Sequence, residues 1–101
     1  MSDYQTLKVS LRSAGVAQVT MARPAVFNAF DEAMIGELDT AFAALMADDT
    51  VRVVVLAGEG KHFSAGADLQ WMQRASTASR EWNLEDARRF AGMLSRIETC
   101  P

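Results

Sequence analysis

The sequence predicts an α/β fold, on three observations. Residues 7–11 and 16–21 alternate apolar and polar side chains, residues 31–49 carry apolar side chains at helical spacing, and residues 51–57 form a nearly unbroken apolar run. The 101 residues amount to one domain or less, a size that buries roughly 60–70% of the unfolded surface. Half the residues are hydrophobic and only two are proline, which argues against a wholly disordered chain.

The first strand is expected at Leu7, Val9 and Leu11, with Lys8 and Ser10 on the other face. Ser13-Ala14-Gly15 supplies a turn, and Val16 to Met21 alternates again, so the two strands read as an antiparallel hairpin. Pro24 fixes its own φ and holds Arg23 away from the helical region, making residues 22–28 a crossing loop. Asp31 is placed to cap a helix whose apolar face is Met34, Ile35, Leu38, Phe42, Leu45 and Met46, ending at Asp48-Asp49. The run Val51–Ala57 then predicts a parallel strand in a sheet buried on both faces. A loop with Gly58, Gly60 and Gly66 leads to a helix starting near Asp68 or Leu69. Ala75 to Arg80 are small and polar and read as a linker or lid. Asn83 is the expected cap of a last helix with its stripe at Leu84, Ala87, Ala91, Leu94 and Ile97, widened by Phe90 and Met93. That stripe has no later element to cover it and the chain stops at Cys100-Pro101, so an incomplete chain is expected.

Composition narrows the function. A net charge of −3 and a pI near 5.0 argue against an electrostatically driven nucleic-acid binder. The single cysteine, Cys100, and single histidine, His62, make neither a disulfide nor a thiolate metal site, so no metal is expected. The longest apolar runs are too short for a membrane helix, and Met1-Ser2-Asp3-Tyr4-Gln5 lacks the order of a secretory signal. A soluble, cytoplasmic protein with no membrane partner is expected.

The chemical motifs are sparse. His62 and Ser64 stand two apart without an orienting third group, so a loop histidine is the favoured reading over a nucleophilic pair. The acidic pairs Asp31/Glu32, Asp48/Asp49 and Glu85/Asp86 sit where helix ends place acids, and Gly58-Glu59-Gly60 fails the dinucleotide spacing. Phe63-Ser64-Ala65-Gly66-Ala67-Asp68-Leu69 is the informative stretch. Its small residues let a ligand approach the main chain, and a backbone N–H at a helix start is a good donor to a developing oxyanion.

Three segments in order carry a family resemblance: Arg23-Pro24-Ala25-Val26-Phe27-Asn28-Ala29, Val51 to Gly58, and Phe63 to Leu69. Together they resemble the Arg-Pro-x-x-x-Asn-Ala loop, central strand and CoA-binding loop of the crotonase, or enoyl-CoA hydratase/isomerase, superfamily. The continuation through Gln70-Trp71-Met72 and Asn83-Leu84-Glu85 looks most like bacterial methylglutaconyl-CoA hydratases of leucine or isoprenoid breakdown. The resemblance implies a crotonase-like ββα spiral of which residues 1–101 are the N-terminal part of a single domain. It implies an enoyl-CoA hydratase that adds water to a 2-enoyl-CoA through an oxyanion hole, with an isomerase or a non-catalytic CoA-binding module as alternatives. Acyl-CoA is then the substrate, and no cofactor is needed.

The family's backbone oxyanion donor carries over to Ala67. Ala25, Val26, Phe27, Ala65, Ala67, Asp68 and Leu69 would hold CoA, and Trp71 and Met72 would lie near the acyl pocket. The family's second donor and its two glutamates come later than the last helix here, so these residues alone are expected to lack turnover. A homo-oligomer is expected for the complete protein. Some relatives bind RNA through a basic first helix, but residues 31–49 contain six acids and no Lys or Arg, which repels phosphate.

Overall fold

The computed structural model describes residues 4–100. Strands β1 (Leu7–Leu11) and β2 (Val16–Met21) form the hairpin and pair antiparallel, with Val9 opposite Val19. Its turn places Ala14 and Gly15 at φ 62° and 78°. A Cβ on Gly15 would come within 2.8 Å of the Thr50 carbonyl oxygen, so glycine meets both the turn and the close approach. Helix α1 (Glu32–Met46) crosses over to β3 (Val53–Gly58), which pairs parallel with β2, Val19 opposite Leu56. Helices α2 (Leu69–Thr77) and α3 (Arg80–Glu98) follow, and the sheet order is β1-β2-β3.

One face of the sheet carries the core. Ala17, Val19 and Met21 are fully buried beside Leu7, with Val54 and Leu56 packed against them, under Met34, Leu38 and Phe42 of α1 and Met93 of α3. The two-sided burial expected of the sheet is not found. The period-2 partners Val53 and Val55 remain 52% and 36% exposed, because α1 and α3 both cover the same face. Strand β3 also starts later than the apolar run suggested. The Asp48 carboxylate accepts from the Thr50 N–H and hydroxyl, and the Val51 N–H bonds the Asp48 carbonyl, so residues 48–51 form a turn instead.

Three further expectations change in the C-terminal third. Residues 75–80 are not a lid: α2 runs through Thr77, and Ser79 caps α3 by accepting from the Trp82 N–H. Asn83 is no cap, and its amide donates to the Ala75 carbonyl at the end of α2. The earlier start also changes which side of α3 is buried. Trp82, Asp86, Phe90, Met93 and Ile97 face the core, whereas Leu84 and Leu94 are 47% and 46% exposed. The aromatic set on α3 is larger than the Leu/Ala set, so burying it removes more apolar surface from water.

Candidate active site

Two loops, residues 22–31 and 59–68, build the site, and one side chain ties them. Pro24 starts a single 3-10 turn, Pro24–Val26, and the chain then takes the left-handed region at Phe27 (φ 55°) and Asn28 (φ 56°). Asparagine tolerates that region; phenylalanine does so rarely and must be held there. Asn28 does the holding. Fully buried, it accepts the Arg23 N–H at 2.8 Å and donates to the Glu59 and His62 carbonyls at 2.9 and 2.8 Å. The Ser64 hydroxyl donates to the Asn28 carbonyl and accepts the Gly66 N–H. Gly58 completes the junction, since a Cβ there would lie 2.6 Å from the Phe63 oxygen and 2.9 Å from the Asn28 amide nitrogen.

Electrostatics lock the same loops to the helices behind them. Asp31 caps α1 through the Met34 N–H and Asp68 caps α2 through the Trp71 N–H. The Arg23 guanidinium lies between both caps, 3.1 Å from the Asp68 carboxylate and 3.4 Å from that of Asp31, and donates to the Ala29 carbonyl. Burial pushes the Asp68 carboxyl up, but the Trp71 N–H and the Arg23 guanidinium outweigh it and hold the group below its ordinary value.

Ala67 sits in a short parallel bridge with Phe30. The Phe30 N–H bonds the Gly66 carbonyl at 2.6 Å, and the Asp68 N–H bonds the Phe30 carbonyl at 2.7 Å. Because neighbouring peptide groups on an extended segment point to opposite sides, the Ala67 N–H faces away from Phe30. It has no protein acceptor among the described residues. A backbone donor left open at the lip of a cleft is what an oxyanion needs.

The loops enclose a cleft of about 620 Å³ lined by Arg23, Ala25, Val26, Phe27, Ala29, Ala65, Ala67, Asp68, Leu69, Gln70 and Met72. All seven residues expected to hold CoA are in that lining, as is Met72. Trp71 is not: it is buried, donates its indole N–H to the Asp86 carboxylate at 2.6 Å and meets the Phe90 ring edge-on at 5.4 Å. Helical spacing explains the split, since residues 69 and 72 share one side of α2 and 71 turns away. The sequence reading did not single out Arg23, Ala29 or Gln70 as lining, or Asn28 as the tie; the only signal for the first, second and last was their place in the Arg-Pro-x-x-x-Asn-Ala segment. His62 is exposed, meets the Phe27 ring edge at 5.0 Å and makes no bond to Ser64. Among the described residues no three His, Cys, Asp or Glu side chains gather as a metal site.

The sequence pattern of the enoyl-CoA hydratase/isomerase family matches residues 11–101. This chain belongs to that family. A probable enoyl-CoA hydratase of Rhizobium meliloti is 43% identical over 71 residues, 70% of this chain and 27% of that protein. The rat mitochondrial Delta(3,5)-Delta(2,4)-dienoyl-CoA isomerase is 32% identical over 109 residues, 98% of this chain and 33% of that one. An enoyl-CoA hydratase from Shewanella pealeana superposes with a TM-score of 0.92 at 36% identity, over 96% of this chain and 36% of its own. The chain therefore spans about a quarter to a little over a third of the length of these relatives, and its strands and helices are part of the crotonase fold.

Proposed function

We propose that these residues are the acyl-CoA-binding, N-terminal portion of an enoyl-CoA hydratase. The observation that carries the reading is the unpaired Ala67 N–H beside a largely apolar cleft. Val26, Phe27, Leu69 and Met72 offer the apolar wall that the pantetheine arm prefers, and the small Ala25 and Ala65 leave room for it. The thioester oxygen would accept from the Ala67 N–H, which strengthens as charge builds on that oxygen in the enolate. Asp68 and Arg23 neutralise each other and cap the helices, so their part is to hold the donor in place. Water activation and proton delivery are assigned to glutamates beyond these residues, and the 101-residue chain alone is expected not to hydrate crotonyl-CoA.

The isomerase reading of the same family shares Ala67 and differs in the acid–base groups, and the similarity to the rat isomerase keeps it as the alternative. Methylglutaconyl-CoA is the substrate we propose to test first, on the resemblance of the Gln70-Trp71-Met72 and Asn83-Leu84-Glu85 segments. The test is calorimetry of the purified chain with CoA, crotonyl-CoA and methylglutaconyl-CoA. Binding of all three is expected, and Ala65→Trp, which fills the cleft, should weaken it at least about tenfold, or roughly 1.4 kcal/mol. Absence of binding by a folded chain, or binding indifferent to Ala65→Trp, would refute the assignment.

A further inference from the structure

Ala67 offers its N–H from an isolated bridge that belongs to no strand of the sheet. Phe30 grips both of its neighbours, donating to the Gly66 carbonyl at 2.6 Å and accepting the Asp68 N–H at 2.7 Å. The direction of the Ala67 N–H therefore follows the backbone of residue 30. A lone bridge lacks the repeated bonds that keep a ladder in register, so the packing behind it decides where the donor points.

One ring stands behind both sides of the bridge. The Phe90 side chain of α3 meets the Phe30 ring at 5.7 Å, tilted by 48°, and the Trp71 indole edge-on at 5.4 Å. Both separations lie where ring pairs attract beyond their burial alone. Trp71 in turn donates its backbone N–H to the Asp68 carboxylate at 3.1 Å. Phe90 thus packs on the residue across from Ala67 and on the one that ties down Asp68. The indole is fixed in its turn, because buried Asp86, one turn earlier on α3, accepts its N–H at 2.6 Å. Phe90 itself takes no part in the cleft lining and packs against the core.

We propose, on the acyl-CoA reading of the cleft, that Phe90 is a positioning residue, aiming the Ala67 N–H at the thioester oxygen through Phe30 and Trp71. A donor's worth falls steeply with misalignment, so losing the ring should weaken polarisation of the thioester more than it weakens the grip on CoA. The test is infrared difference spectroscopy of crotonyl-CoA carrying carbon-13 in its thioester carbonyl, bound at saturation to the 101-residue chain. Donation from Ala67 lowers the carbonyl stretching frequency relative to the free thioester. Phe90→Leu should abolish at least about half of that lowering, while CoA affinity by calorimetry changes less than about threefold. Phe30→Leu should do the same, and the double variant should add little to either single one, since both act on one bridge. Phe90→Tyr, which keeps the ring, should keep the lowering. Leu45→Ala, a core truncation at the opposite end of α1 from Asp31, should reduce stability and leave the carbonyl frequency unchanged. Circular dichroism verifies folding, and should Phe90→Leu not fold, Phe90→Met refills the space without a ring and takes its place. A lowering retained in Phe90→Leu, or lost equally in Leu45→Ala, overturns the proposal and leaves the acyl-CoA reading standing. Loss of CoA affinity in step with the lowering also overturns it, because Phe90 would then shape the cleft and not the donor. An unaltered chain that binds no CoA, or binds crotonyl-CoA without any lowering, refutes the acyl-CoA reading itself, and the proposal falls with it.

Discussion

Asn28 illustrates how much of a site one side chain can organise. Its amide saturates three backbone groups from two loops, and its own left-handed backbone turns the chain towards the cleft. Asn28→Ala leaves two part-buried carbonyls and an N–H without their partner, and a loss of roughly 1–3 kcal/mol is expected in urea unfolding. CoA affinity should fall with it, since Phe27 and Ala65 both hang on this junction. Asp68 acts through charge. Its folded-state pKa lies below the unfolded value, so its contribution is complete above the ordinary carboxylate range, near pH 4, and is lost as pH falls through the folded value. Glu37 behaves alike: burial raises its pKa, but the Thr6 hydroxyl with the Gln5 and Thr6 N–H groups outweighs this and holds it below its ordinary value. Unfolding midpoints should therefore hold above about pH 5 and drop below about pH 4, and Asp68→Asn should flatten part of that drop. An unchanged slope in Asp68→Asn would show that Arg23 does not depend on this carboxylate.

At the scale of elements, the packing of α2 on α3 turns on the Trp71–Asp86 bond. Asp86 is buried, so Trp71→Phe strips its carboxylate of the indole donor and should cost about 1–3 kcal/mol. The double variant Trp71→Phe/Asp86→Leu, which removes both polar groups, should recover much of that loss; thermal melts of the three variants give the comparison. The start of α3 was legible in principle. Ser79 is a good cap, but Asn83 offered an equally acceptable one, and local propensity does not choose between them. The choice falls to packing: a start at Arg80 is what lets Trp82 and Asp86 lie inward.

For the whole molecule, the open face and free edge of β3 matter most. Val53 and Val55 are exposed on a strand with no neighbour on its far side among the described residues. Such an edge templates pairing with other chains. The purified chain should self-associate with rising concentration in sedimentation velocity, and Val53→Lys/Val55→Lys should suppress it while leaving the circular dichroism spectrum intact. Association unaffected by those lysines would move the contact elsewhere, with the exposed Leu84 and Leu94 of α3 the next surface to substitute.

The order of strands and helices, the hairpin and both N-caps at Asp31 and Asp68 follow from local sequence, whereas the expected cleft residues rest on the family resemblance. Each of the former rests on a short-range cause: a period of two or 3.6, a proline, a carboxylate three residues before an N–H. Tertiary structure alone decided three matters. It set Arg23 between two caps 8 and 45 residues away, it chose the buried side of α3, and it turned Trp71 from the cleft into the core. None has a local signal, because each depends on which of several apolar or charged groups is matched by a partner on an element distant in sequence. A buried indole and carboxylate together satisfy a bond that neither satisfies alone.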